Sequence, residues 1–280
     1  MSSSPTVERV LVTGASSGIG MHLAHRFAAH GHHVCLVAPD AGELDAVAAD
    51  IERRHGIETM RVAVDLERKE SYAAIESALA NAGWMIDILV NNAGHGFKGN
   101  FAEVPLATHL SVLRLNVEAV LRLTSLFLPR MVERRRGRVL NTASIAGFEP
   151  GPTMSVYHAS KAFVLSWSEA VATELEGTGV TVTALCPGPT DTDFFPKGDL
   201  EESFAFQKAN LMDPEEVAQI GYEAAMKGER VVVAGAVNKA MVFSRRFMSE
   251  HMQAHMNEKM YEDVDNPKRA RGDKESPPRP

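Results

Sequence analysis

The chain has 280 residues, enough for one large domain with a buried core, and 45% of them are hydrophobic. With 29 Lys and Arg against 36 Asp and Glu its formal net charge is −7, which excludes the basic footprint of a nucleic-acid binder. Its two cysteines, Cys35 and Cys186, fall in apolar strand-like runs, which argues against a disulfide framework or a metal site and for a reducing compartment.

Residues 1–6, Met1 to Thr6, carry no apolar stretch of the signal-peptide kind and read as a flexible end. No later run is long and uncharged enough to span a bilayer, which predicts a cytoplasmic protein. The first strand, Arg9-Val10-Leu11-Val12, runs directly into Thr13-Gly14-Ala15-Ser16-Ser17-Gly18-Ile19-Gly20. Leu23, Ala24, Phe27 and Ala28 then recur at helical spacing, so a strand, a glycine-rich turn and a helix follow one another. Glycines let the backbone turn tightly and approach a pyrophosphate, while the unpaired N–H groups and dipole of the helix attract its charge. A dinucleotide is the natural ligand, although three residues rather than the usual one separate Gly14 from Gly18.

Further strands are expected near 33–38, 58–65, 86–91, 137–142, 180–186 and 231–234, alternating with helices near 19–30, 42–55, 71–81, 106–133, 157–176 and 214–226. That alternation predicts an α/β fold, a Rossmann-type doubly wound parallel sheet in a single domain, with its ligand across the carboxyl ends of the strands. In the helix from 157, Tyr157 and Lys161 stand one turn apart and share a face. A phenol ionises near pH ~10, and a fixed ammonium beside it favours the phenolate, making a general acid/base. Ser144, just after the fifth strand, is placed to hold a substrate oxygen. Taken singly, the same residues also describe a packed tyrosine, a solvated lysine and a loop serine.

Five motifs agree in order and spacing: Thr13 to Gly20, then Asn91-Asn92-Ala93-Gly94, Asn116, Ser144 with Tyr157 and Lys161, and Pro187-Gly188. Over roughly residues 7–235 the chain therefore resembles a short-chain dehydrogenase/reductase. The resemblance implies hydride transfer between a nicotinamide and a carbonyl or secondary alcohol, an oxidoreductase's work. It makes Tyr157 the general acid/base, Ser144 the donor to the reacting oxygen, Lys161 the residue that lowers the tyrosine pKa and contacts the ribose, and Asn116 the holder of a water linking that lysine to solvent. Gly14, Ser16, Ser17, Gly18, Ile19 and Gly20 would cradle the pyrophosphate, Asp65 and Leu66 border the adenine, and Asn92, Ala93 and Gly94 pass close to the ribose. Pro187, Gly188, Thr190 and Thr192 would reach the nicotinamide carboxamide.

The cofactor type is less plainly written. In Val37-Ala38-Pro39-Asp40, Ala38 stands where the NAD-type acid would be and Pro39 where many NADP-type enzymes of the family carry arginine. Asp40 has two readings, a ribose ligand or a turn residue before the next helix; Asp65 likewise borders the adenine or caps the next segment. The missing acid and the room at Ala38 favour NADP(H) over NAD(H).

For the substrate, His95, Phe97, Ile145, Phe148, Met154, Phe194 and Phe195 are the candidates at the mouth, mostly large and apolar. They suggest a small lipophilic or aromatic ketone or alcohol, with core or lid packing as the other reading. A reductase of acyl chains on a carrier protein is an alternative, drawn from the basic cluster Arg130, Arg134, Arg135, Arg136 and Arg138 and opposed by Thr178, where such reductases carry a basic residue. A non-catalytic dinucleotide sensor is a second, opposed by the complete set Asn116, Ser144, Tyr157 and Lys161. Long apolar faces on the helices at 106–133 and 157–176 match those through which family members pair, implying a homodimer or homotetramer.

Beyond the family core, residues 236–265 are expected to be a helical extension. There Met241, Val242, Phe243, Phe247, Met248, Met252 and Met256 form an apolar stripe flanked by Lys239, Arg245 and Arg246. Core or subunit packing is the first reading, and contact with a membrane surface the second. Residues 266–280, charged and proline-rich, are expected to be disordered.

Overall fold

The computed structural model describes residues 7–194 and 211–261. Seven strands form one parallel sheet in the order β3-β2-β1-β4-β5-β6-β7. They are β1 (Arg9–Thr13), β2 (His33–Ala38), β3 (Thr59–Ala63), β4 (Ile88–Asn91), β5 (Gly137–Thr142), β6 (Val180–Cys186) and β7 (Val231–Val233). The chain winds outward from β1 to β3, then returns to place β4 on the other side of β1, so the switch point lies at the carboxyl ends of β1 and β4.

Alternation along the strands divides the core. Val10, Val12, Val34, Leu36, Ile88 and Val90 pack on one face with Leu23 and Phe27 of α1 (Gly18–Ala29), Leu44 and Ile51 of α2 (Ala41–His55) and Val217 of α7 (Pro214–Lys227). Their neighbours Leu11, Cys35, Val37, Leu89 and Val139 point the other way, toward Ile75 and Leu79 of α3 (Glu70–Asn81) and Leu123 and Phe127 of α5 (Ala119–Glu133). Burial on both faces is why these strands read as unbroken apolar runs. Helix ends carry their own signals: Asp213 caps α7 through Oδ1, accepting from the Glu215 N–H at 2.8 Å, and Gly228 closes that helix with φ +70°.

The single helix expected over 106–133 is interrupted. It runs as α4 (Leu106–Leu113), one wide π turn over Arg114–Glu118, and α5. Asn116 sits in that turn, buried, and the extra residue there lets its amide reach inward instead of following the regular helical face. After β7 come α8 (Ala236–Ser244), a 3₁₀ turn at Arg245–Phe247 and α9 (Glu250–Tyr261), so the extension is helical as expected, with its polarity reversed. The buried side chains are Asn238, Arg245, Gln253 and Asn257, whereas Phe243, Phe247, Met252 and Met256 of the apolar stripe are exposed. Core packing is therefore not the use of these four within one chain, while Met241, Val242 and Met248 are half-buried. No helix among the described residues is long and apolar enough to cross a membrane. The ends 1–6 and 266–280, and Phe195, lie outside the described residues.

Gly20 is a packing position. A Cβ there would stand 2.1 Å from the Gly14 carbonyl oxygen and 2.4 Å from Asn92 Nδ2, so α1 can press against the loop only without a side chain. The Gly20→Ala variant is expected to lose about 1–3 kcal/mol of stability, as overpacking does, read from the urea midpoint.

Candidate active site

A cleft of about 440 Å³ opens along the carboxyl ends of the strands, and most residues predicted for the site line it. Its floor begins at the β1–α1 loop, where Gly14 (φ +63°) and Gly18 (φ +52°) adopt left-handed backbone that favours glycine. A Cβ on Gly14 would lie 3.0 Å from Ala93 Cα, and one on Gly18 3.0 Å from Thr192 Cγ2. The N-cap of α1, Ser17, makes no side-chain capping bond and the first turn holds no acid, which leaves helix N–H groups for an anion. Ser16, Ser17, Ile19, Asp65, Leu66, Asn92, Ala93, Gly94, Pro187, Gly188, Thr190 and Thr192 continue this wall.

Side-chain bonds hold the strand ends together beneath it. Thr13 Oγ1 accepts from the Asn92 and Ala93 N–H groups at 2.9 and 3.0 Å, and Asn92 Nδ2 donates to the Thr13 carbonyl at 3.1 Å. Asn92 Oδ1 accepts from Thr142 Oγ1 at 3.2 Å, while Asn91 donates to Asn141 Oδ1 at 2.8 Å. The Asn-Asn pair thus ties β4 to both neighbours.

Three chemical groups meet at the cleft's centre, with a fourth behind them. Tyr157 and Lys161 both project from α6 (Ser155–Glu174), and Ser144 lies at the end of β5 where it opens a 3₁₀ turn. Lys161 Nζ donates to the Thr142 carbonyl at 2.8 Å and lies 5.8 Å from the centre of the Tyr157 ring. Asn116 lies one layer behind, outside the cleft wall: its Nδ2 donates to the His95 carbonyl and Ser160 Oγ at 2.9 and 3.0 Å, and its Oδ1 accepts from the His95 N–H at 3.0 Å. Gly94 separates it from the lysine; a Cβ there would stand 3.0 Å from Asn116 Oδ1 and 3.3 Å from Lys161 Nζ.

The titration of the pair departs from expectation. Burial pushes the Tyr157 phenol up to about 12, against the hydrogen bond from Ser144 that lowers it, and burial also lowers Lys161 to about 8. With the nearest positive charge itself depressed and bonded to Thr142, the resting phenol is a neutral acid.

Some predicted positions serve the fold instead. Asp40 is a helix cap: its Oδ1 accepts from the Glu43 N–H at 2.8 Å, and Glu43 rather than Asp40 lines the cleft beside Ala38 and Pro39. Phe148 packs against the cluster of Val120, Ala143, Val164 and Leu165 because the 3₁₀ turn carries it away from the cleft. Phe97 is exposed and outside the wall. His95, Ile145, Met154 and Phe194 line the cleft as expected. The basic cluster is engaged within the chain: Arg134 and Arg136 meet Asp87, Arg138 meets Glu8, Arg130 meets Glu76, and Arg135 donates to the Gly177 carbonyl. Glu43, Thr142, Glu149, Met241, Arg245, Asn257, Met260 and Tyr261 also line the cleft and were missed. Of these Thr142 alone carried a signal, its place two residues before Ser144 at a strand end.

A model of the short chain dehydrogenase family matches residues 8–203. The chain is 39% identical over 176 residues to a very-long-chain 3-oxoacyl-CoA reductase of Phaeosphaeria nodorum, covering 61% of this chain and 52% of that one. It thus spans about half the length of such relatives. Among solved structures it is similar to a short-chain dehydrogenase from Sphingobium yanoikuyae in complex with NADPH, at 33% identity and a TM-score of 0.77, over 86% of this chain and 95% of the other. A bulky-bulky ketone specific alcohol dehydrogenase from Comamonas testosteroni matches at 29% identity and a TM-score of 0.73, over 86% and 92%. The protein belongs to the short-chain dehydrogenase/reductase family, whose members are nicotinamide-dependent oxidoreductases.

Lys161 gives the site a pH signature. Its folded pKa lies below the unfolded value of ~10.4, so the unfolded chain binds the extra proton between about pH 8 and that value, and stability contributed at this position rises with pH across the window. Compared with Lys161→Met, the wild type is expected to gain stability steadily from pH 8 upward, measured as the difference between their urea midpoints; a difference independent of pH is the opposing result.

Proposed function

We propose that the protein reduces the keto group of lipophilic 3-oxoacyl thioesters, with NADP(H) preferred over NAD(H). The observation that carries the reading is the convergence of Ser144, Tyr157 and Lys161 on one cleft whose remaining wall is a dinucleotide cradle. When bound, the nicotinamide supplies the hydride to the carbonyl carbon. Ser144 Oγ donates a hydrogen bond to the carbonyl oxygen as negative charge develops there, and Tyr157 gives that oxygen its proton. Lys161, near the phenol and held by Thr142, stabilises the phenolate left behind. A phenol pushed up to about 12 rests protonated at neutral pH, the form that reduction consumes.

The substrate class rests on the relatives' names and on the wall opposite the cradle, where Ile145, Met154, Phe194, Met241 and Met260 supply apolar surface. For NADP(H) speak the absence of an acid at Ala38, the engagement of Asp40 as a cap and the NADPH held by the similar Sphingobium protein. Glu43 is the acid that faces this end of the cleft and would repel a 2′-phosphate. A carrier-protein substrate finds less support, since four of the five arginines that suggested it meet acids of the same chain. Exposed Leu106, Leu110 and Leu113 on α4 and Phe163 on α6 support pairing of two copies through these helices.

Tyr157→Phe is expected to bind NADPH normally, followed by nicotinamide fluorescence, and to lose at least about 10³-fold in kcat on a 3-oxoacyl thioester. Normal turnover by that variant would remove the assignment. Glu43→Gln should raise kcat/KM for NADPH relative to NADH by about tenfold, a change of about 1.4 kcal/mol in discrimination; equal or reversed ratios would take Glu43 out of cofactor choice.

A further inference from the structure

We propose that Tyr261, on the C-terminal helix α9, is a specificity-determining residue: it forms the end wall of the substrate chamber and limits how long an acyl chain the site accepts. The inference rests on the reading of the chamber as a lipophilic ketone site. Tyr261 lies 104 positions beyond Tyr157 in the chain, yet both rings pack on buried Met154 together with Phe194 and Leu211. Tyr261, Met260 and Asn257 line the same cleft as Ser144 and Tyr157. The catalytic tyrosine thus shares an apolar cluster with a residue from outside the region matched by the family model.

The wall is fixed by a chain of buried polar contacts. His158 Nδ1 lies 2.9 Å from the Glu149 carbonyl, which can only accept, so this nitrogen carries the proton. Burial lowers His158 to about 4, leaving the ring neutral and Nε2 bare. The Tyr261 hydroxyl therefore donates to Nε2, at 2.9 Å, and its ring stands edge-on to the imidazole with centroids 5.6 Å apart. Gly151 makes room for the His158 imidazole, since a Cβ there would stand 2.2 Å from that ring. Arg245 pairs with Glu149 at 2.5 Å and donates to the Ile145 carbonyl at 3.1 Å, both partners being more than nine-tenths buried. Asn257 donates to the Pro150 carbonyl at 2.8 Å, and Gln253 to the Arg245 and Met248 carbonyls, each at 3.1 Å. The bonds of Arg245, Asn257 and Tyr261 fasten the extension to the segment from Ile145 to His158, and those of Gln253 brace the extension's own turn, so the wall is registered to the segment that joins Ser144 to Tyr157.

A wall acts on the ratio between substrates rather than on chemistry. With N-acetylcysteamine thioesters of 3-oxobutanoate and 3-oxododecanoate, Tyr261→Ala is expected to raise the long-to-short ratio of kcat/KM by about tenfold or more, the change lying in KM. Tyr261→Phe, which keeps the ring and loses the hydrogen bond, should stay within about twofold of wild type. NADPH affinity, measured by fluorescence titration, should be unchanged in both and reports that each is folded. Should Tyr261→Ala misfold, Met260→Ala tests the same wall and is expected to shift the ratio in the same direction. An unchanged ratio in the folded Ala variants overturns the proposal, as does a shift in Tyr261→Phe equal to that in Tyr261→Ala. If the wild type reduces neither thioester, the substrate reading fails by itself, and the wall is then tested with a bulky and a small aryl ketone under the same two criteria.

Discussion

Where β1, β4 and β5 end, the main-chain ladder of the sheet runs out and the Asn92 side chain continues it, reaching Thr13 on one side and Thr142 on the other. The rest of the site hangs on that bridge. Thr142 offers its carbonyl to Lys161, so the position of the ammonium is set by the strand that Asn92 holds. Thr13, through its hydroxyl, fixes the backbone at Asn92 and Ala93, against which the glycine loop closes. Cofactor cradle and Lys161 are therefore positioned by one set of partly buried polar bonds, and such bonds specify geometry more sharply than apolar contact because each has a direction and an unmet one is costly.

The second organising element is desolvation. The phenol and the ammonium are removed from water and each is pushed toward its neutral form, yet at neutral pH only the phenol is uncharged, because Lys161, lowered to about 8, keeps its proton. Charge arises there when the phenol gives up its proton, at which moment Lys161 stands in a low-dielectric surrounding where its field is least screened. The π turn that carries Asn116 belongs to the same arrangement: an irregular helix turn makes it possible for an amide to serve the His95 backbone from behind the cleft.

Local features were legible in the sequence and contacts made by distant segments were not. The glycine loop, the strand segments and the Tyr157–Lys161 turn follow from residues a few positions apart, and the structure has them where periodicity and spacing put them. The α4–α5 break escaped notice because an extra residue in a helix leaves its apolar pattern nearly intact. Asp40 was ambiguous for a physical reason, since an acid after a strand suits a ribose and a helix N-terminus alike, and the capping bond won. Phe148 looked like a pocket residue because aromatic side chains at a strand end are apolar whichever way the following turn sends them. Tyr261 gave no sign at all: its partner His158 lies 103 positions away, and nothing in either neighbourhood marks the encounter.

The inverted polarity of α9 has a thermodynamic consequence. Ahead of the Met260–Tyr261 end, which packs at the cleft, Gln253 and Asn257 are its buried side chains while Met252 and Met256 face outward, so this stretch is attached mainly by hydrogen bonds with little apolar area removed from water. Heat capacity changes follow apolar area. Detaching the Glu250–Asn257 stretch therefore carries a small heat-capacity change, and the free energy that seats it varies nearly linearly with temperature, whereas the sheet beneath it follows the curved profile of a hydrophobic core. Cooling that weakens the core's apolar contribution leaves the seating of that polar stretch almost untouched.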